Sequence, residues 1–181
     1  MRLENGFEVR ASPEQAWALL NDVPRVVPCL PGAELTRVVD ENAWQATMHV
    51  KLGPIALQFL SDVTRVREDE AARVVSLDVK AREAKGRGGA TATIESSLAD
   101  ADGGTRVSIV TELALQGAVA QYGRGVVGAV AEQLTSQFAQ CLSRLLQEEG
   151  VAEPAPVRPV GGLGLTLRAT WSALLRPFQR R

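Results

Sequence analysis

The chain has 181 residues, 45% hydrophobic and 23% charged, with a formal net charge of -1, which gives one ordinary core with room for an accessory tail. Residues 1–153 hold 15 Lys or Arg against 21 Asp or Glu, while residues 154–181 hold five Arg and no acid. That balance excludes nucleic acid as a partner of the body and leaves the tail suited to an anionic surface.

Residues 2–10 read as a first strand. Ser12, Pro13 and Gln15 then mark a helix start, with a capping-box spacing and proline at the first helical position. Ala16, Trp17, Leu19 and Leu20 give that helix an apolar face, and it is expected to end by Asp22, ahead of Pro24. A short element broken by Pro24, Pro28 and Pro31 leads into strands from Ala33 onward. Trp44, Ala46, Met48, Val50 and Leu52 fall on one face by alternation, as do Val107, Ile109, Thr111, Leu113 and Leu115. Gly53-Pro54 and Asp102-Gly103-Gly104 mark turns. Consecutive strands with short connections imply an antiparallel meander, with five or six strands following the first helices.

From Ala118 to Glu149 the pattern becomes one long amphipathic helix, with Val119, Tyr122, Val126, Val130, Leu134, Phe138, Cys141 and Leu145 at threes and fours. Gly117, Gly123, Gly125 and Gly128 weaken its first half. Two readings stay open there: a frayed or kinked start, and a lightly filled space between helix and sheet. Residues 148–162 form a Pro/Gly-rich linker, and 163–181 an amphipathic basic tail.

Motifs for chemistry are few. His49 is the only histidine, and alternation turns it away from Trp44, Met48 and Val50. No metal site, nucleophile elbow or paired-carboxylate catalyst is expected. The stretch GRGGAT at 86–91 lacks the spacing of a phosphate or dinucleotide loop and precedes a strand, so a hairpin turn is favoured. Cys29 and Cys141 lie far apart, outside any CxxC pair, each beside apolar residues. Reduced, packed cysteines are the preferred expectation, with a single disulfide as the alternative. The N-terminus lacks an apolar signal core and no run of 18 apolar residues occurs, so cytoplasmic residence without a spanning helix is expected.

The opening FEVRASPEQAWALLND, then VPRVVPCLPGAE, then LALQGAVAQYGRGVVGAVAEQL with FAQCLSRLL, together resemble the carbon monoxide dehydrogenase G-subunit family, within the START-like helix-grip (SRPBCC-like) superfamily. The resemblance covers residues 1–147. It implies an α+β fold, with a curved antiparallel sheet wrapped around a long C-terminal helix and a hydrophobic cavity between them. It implies a non-catalytic accessory, not an enzyme, that binds a hydrophobic ligand, a membrane quinone such as menaquinone or ubiquinone. Such a protein couples a molybdenum hydroxylase of the carbon monoxide dehydrogenase type to the cytoplasmic face of the membrane, as an electron-transfer accessory without a covalent cofactor. Leu30, Pro31, Gly117, Tyr122 and Val126 match regions bordering the cavity, and Leu57, Phe59 and Leu113 are further lining candidates. A soluble assembly factor for such an enzyme and a small helix-grip enzyme acting on an aromatic substrate are the alternatives.

In the tail, Leu163, Leu167, Trp171, Leu174 and Phe178 make one helical stripe. Arg176 and Arg180 fall on the other side, and Arg168 lies at the boundary. This is the pattern of an interfacial helix on a membrane surface. A helix docked on the body and a partner-protein peptide are the other readings.

Overall fold

Residues 1–52 and 55–151 are described by the structure, a computed structural model. The expected Gly53-Pro54 turn and the tail residues Leu163, Leu167, Arg168, Trp171, Leu174, Arg176, Phe178 and Arg180 lie outside them.

Strand β1 (Arg2–Val9) leads to α1 (Pro13–Asn21). The capping box forms as the spacing predicts: the Gln15 backbone N–H donates to Ser12 Oγ at 3.3 Å, and the Ser12 N–H to Gln15 Oε1 at 3.1 Å. Asp22 ends this helix and caps the short α2 (Val23–Val26), accepting from the Arg25 N–H at 3.3 Å. A 3-10 turn, Val27–Cys29, follows. Six antiparallel strands then run in sequence: β2 (Ala33–Asp40), β3 (Ala43–Leu52), β4 (Ile55–Asp69), β5 (Val74–Glu83), β6 (Gly88–Ala101) and β7 (Gly104–Gly117). The sheet order is β1-β7-β6-β5-β4-β3-β2, so α1 and α2 carry the chain from one edge of the sheet to the other.

The long helix begins later than the periodicity predicts. Ala118–Gln121 is a separate 3-10 turn, Tyr122 is extended, and α3 runs Arg124–Val151. Glycine accounts for the break. Gly117 has φ 69°, and a Cβ there would lie 2.8 Å from Gly88 Cα, so only glycine lets β7 turn out of the sheet against β6. The helix also extends through Val151, into the segment expected as linker.

Burial is concentrated where the C-terminal half of α3 meets α1 and the sheet. Val9, Trp17, Leu19, Leu98, Val107, Phe138, Leu142 and Leu146 form one core, and the Phe7 and Phe138 rings meet edge to face at 6.0 Å. A satellite cluster joins Val23 and Val27 to Trp44. Arg65 seals it, with its guanidinium 5.3 Å from the Trp44 ring and Nη2 donating to the Asn21 carbonyl at 2.8 Å.

The expectation of reduced cysteines is overturned. Cys29 and Cys141 form a disulfide, with Cα atoms 5.3 Å apart, joining the 3-10 turn after α2 to α3. Their separation of 112 residues hides a contact made when the helix returns across the chain start.

Candidate functional site

One face of the sheet looks toward the helices. Cross-strand register arranges it in rows. Trp44, Val63, Val79, Ala92 and Leu113 are successive neighbours across β3 to β7. The next row is Ala46, Ser61, Ala81, Ala90 and Leu115, small in every strand but the last. Beyond it Met48, Phe59 and Glu83 are neighbours. Strand alternation alone would make this a solid core, since all but Ser61 and Glu83 are apolar. It is not one: apart from Trp44 and Glu83, these side chains are only half-buried although they face inward.

The helix explains the difference. Apart from the strand-to-strand pairings, α3 packs chiefly on β1, with smaller contacts to α1 and the Val27–Cys29 turn, rather than across the middle of the sheet. Its buried positions, Phe138, Leu142 and Leu146, all lie in its second half. In the first half Val126 is 47% exposed, and a Cβ built at Gly123, Gly125 or Gly128 would meet nothing within 4 Å. Both readings of the glycines are met: the helix start is broken ahead of Arg124, and the space beside Gly123, Gly125 and Gly128 is open, Gly128 on the side of β1. The result is an apolar trough over β3–β6 with a floor of alanine and serine, the kind of concavity that suits a hydrophobic molecule.

The expected lining residues divide. Leu57, Phe59 and Leu113 share the inner face, Leu57 being 3% exposed and the other two half-buried. Leu30 packs into the main core instead, with Pro31 half-buried after it. Gly117 contributes backbone contacts to Gly88 and Arg87, and Tyr122 is half-buried ahead of α3. A second concavity, a groove of about 850 Å³ between the β1 edge and α3, is lined by Glu4, Glu8, Glu132, Gln140 and Ser143 among others. Leu3, Phe7 and Ala139 share its walls with these polar groups, and it lies beside β1, outside the trough. Among the described residues, no group of three or more His, Cys, Asp or Glu is placed to hold a metal, and no helix is long and apolar enough to cross a membrane.

A family model described as the carbon monoxide dehydrogenase G subunit (CoxG) matches residues 6–147. The chain belongs to this family. No curated protein matches it. Among solved structures, this CoxG-family chain is similar to a conserved protein from Geobacillus kaustophilus, with TM-score 0.73 and 17% identity over 82% of this chain and 97% of that one. It is also similar to the ZhuI aromatase/cyclase from Streptomyces sp. R1128, with TM-score 0.60 and 15% identity over 84% and 96% of the two chains. A START superfamily protein from Mycobacterium smegmatis aligns with TM-score 0.53 and 13% identity over 82% and 98%. At these identities the likeness establishes the helix-grip fold.

The end of the trough is fixed by a carboxylate that belongs to no sequence motif. Glu83 has a side chain 1% exposed. Its Oε2 accepts from the backbone N–H groups of Lys85 at 2.9 Å and Arg87 at 3.1 Å, and its Oε1 from Arg87 Nη2 at 3.1 Å. Arg87 Nη2 also donates to the Ala56 carbonyl at 3.1 Å, and the Arg87 carbonyl accepts from the Val119 N–H at 3.3 Å. One acid thus ties the β5–β6 turn to the start of β4 and to the turn before α3. The signal for it in the sequence is parity, since Val75, Leu77, Val79 and Ala81 place residue 83 on the same inward face. GRGGAT is the hairpin turn expected, with positive φ at Gly86 and Gly88.

Burial alone would raise the Glu83 carboxyl, but the backbone donors and the Arg87 guanidinium outweigh it and hold it below the ordinary range. A lowered folded pKa contributes stability that is complete above the unfolded value, about 4.3. That contribution is lost as pH falls through the folded value. In Glu83→Gln, urea midpoints measured from about pH 6 to about pH 3 are expected to fall less steeply with acid than in the parent. Parallel acid limbs would show that Glu83 carries no linked stability.

Proposed function

We propose that this CoxG-family chain is a non-catalytic carrier of a hydrophobic ligand, a membrane quinone of the menaquinone or ubiquinone class. It would couple or recruit a molybdenum hydroxylase of the carbon monoxide dehydrogenase type to the cytoplasmic face of the membrane. The observation that carries the reading is the accessible inner face with its Ala46–Ser61–Ala81–Ala90 floor. A quinone ring on this floor would be bordered by Phe59 and Leu113, with Leu57 behind Phe59. Leu30, Pro31, Gly117, Tyr122 and Val126 complete the proposed border by their place in the family pattern. The trough supplies shape and low polarity, while the redox chemistry belongs to the quinone and to the partner enzyme. The tail, through Leu163, Leu167, Trp171, Leu174 and Phe178 with Arg168, Arg176 and Arg180, is the proposed membrane hook.

Protein purified with membranes is expected to release a quinone on solvent extraction and mass analysis. Ala90→Trp fills the floor at a cost of about 1–3 kcal/mol of overpacking against ligand. Retained quinone should drop by about tenfold or more. Equal quinone in parent and variant would remove the ligand from the trough.

A further inference from the structure

We propose that the folded body has its own docking surface for an anionic bilayer, at the end of the sheet where the trough opens, separate from the C-terminal tail. The inference deepens the carrier reading and rests on it in part, since cargo drawn from a membrane needs the trough mouth to face it.

The charge pattern carries it. Each end of the sheet is made of chain turns, and the two ends differ in sign. At the end remote from the trough, the turns after β2, β4 and β6 hold Asp40, Glu41, Asp69, Glu70, Asp100 and Asp102. The cations there are fewer than the acids: Arg73 is taken up by Glu14 and Asp100, Arg67 by Asp69 and Glu95, and Arg10 is exposed outside these ion pairs. At the trough end lie the close of β3, the start of β4, the β5–β6 turn, the Ala118–Gln121 turn and the start of α3. Exposed cations there are Lys51, Arg82, Lys85 and Arg124. None of the ion pairs formed among the described residues uses any of these four.

The acids of this end are largely spoken for. Glu83 is buried under Arg87, and Glu112 pairs with Arg2 at 3.3 Å. Glu34, opposite Thr47, is the nearest exposed carboxylate on β2. Exposed apolar groups at this end are Ile55 at 36% and Val126 at 47%, and Ala56, Ala118 and Ala120 are exposed there as well. Exposed apolar groups and cations outside the ion pairs, gathered at one end of the sheet, fit a surface of anionic headgroups over hydrocarbon. The acidic far end would be repelled by that same surface, which orients the molecule with the trough mouth inward.

The test uses the full chain and vesicles of equal parts phosphatidylcholine and phosphatidylglycerol. Lys51→Gln, Arg82→Gln and Lys85→Gln are combined in one variant, and Arg168→Gln, Arg176→Gln and Arg180→Gln in a second. A third joins all six. The body variant is expected to bind about 100-fold more weakly than the parent, from three cations each contributing roughly fivefold near an anionic surface. Ile55→Ser should weaken it further, and the six-fold variant should bind less than either set alone. Unchanged thermal unfolding of the body variant excludes misfolding as the cause. Parent-level binding by the body variant overturns the proposal, as does loss of binding to an acidic partner subunit with vesicle binding intact. Quinone content is measured on the same samples. Its absence from all of them, with vesicle binding lost in the body variant, removes the cargo reading and leaves the docking surface standing.

Discussion

Breaking the Cys29–Cys141 bridge is expected to lower the stability of the folded chain by about 4.7 kcal/mol, the chain-entropy figure for a closed loop of about 100 residues. The loop here spans a sequence separation of 112 residues and encloses the whole sheet from β2 to β7. A chain of this size should lose roughly 10–20 °C in Tm, at about 2–4 °C per kcal/mol. The check is thermal and guanidinium unfolding with and without dithiothreitol, beside a Cys29→Ala, Cys141→Ala variant. The variant should match the reduced parent and be indifferent to reductant. A variant as stable as the oxidised parent would mean that packing, not the covalent link, holds this contact. Disulfides are rare where glutathione keeps thiols reduced. In a reducing compartment the same two residues would be packed thiols. Alkylation of protein in freshly lysed cells separates the two states.

The bridge also shows where local sequence signals stop. Alternation in β3 and β7, the capping box at Ser12 and the Asp102-Gly103-Gly104 turn are each decided within a few residues, and each appears in the structure. The inward parity of Leu57, Phe59 and Leu113 follows from the same local rule. The pairing of Cys29 with Cys141 depends on the path of α3 over the chain start, which no window along the sequence contains. Likewise, Val126 and Phe138 belong to one run of threes and fours, yet three steps of four turn Val126 about 120° round the helix, and only Phe138 is buried, at 8% exposed. Periodicity gives a face of the helix. It does not say along how much of its length that face is covered. The glycines at 123, 125 and 128 are the available hint, because a helix stripped of side chains there has little to bury.

This unequal grip predicts a large asymmetry between two truncations on one helix. Leu142 is 0% exposed in the core against α1 and β1, so Leu142→Ala should cost about 2–5 kcal/mol, the range for a buried leucine leaving a cavity. Val126→Ala, at a side chain 47% exposed, should stay within about 0.5 kcal/mol. Urea unfolding of both variants measures the contrast. Comparable losses would mean that the first half of α3 is packed after all and that the trough is closed. The expected contrast has a functional consequence. With Phe138, Leu142, Leu146 and the disulfide fixing one half of the helix, the other half can shift without breaking the core, since few packed contacts restrain it. On the proposed carrier reading, a hydrophobic ligand would enter beside this half of the helix at the cost of local movement alone, while the sheet and the far half of the helix keep their places.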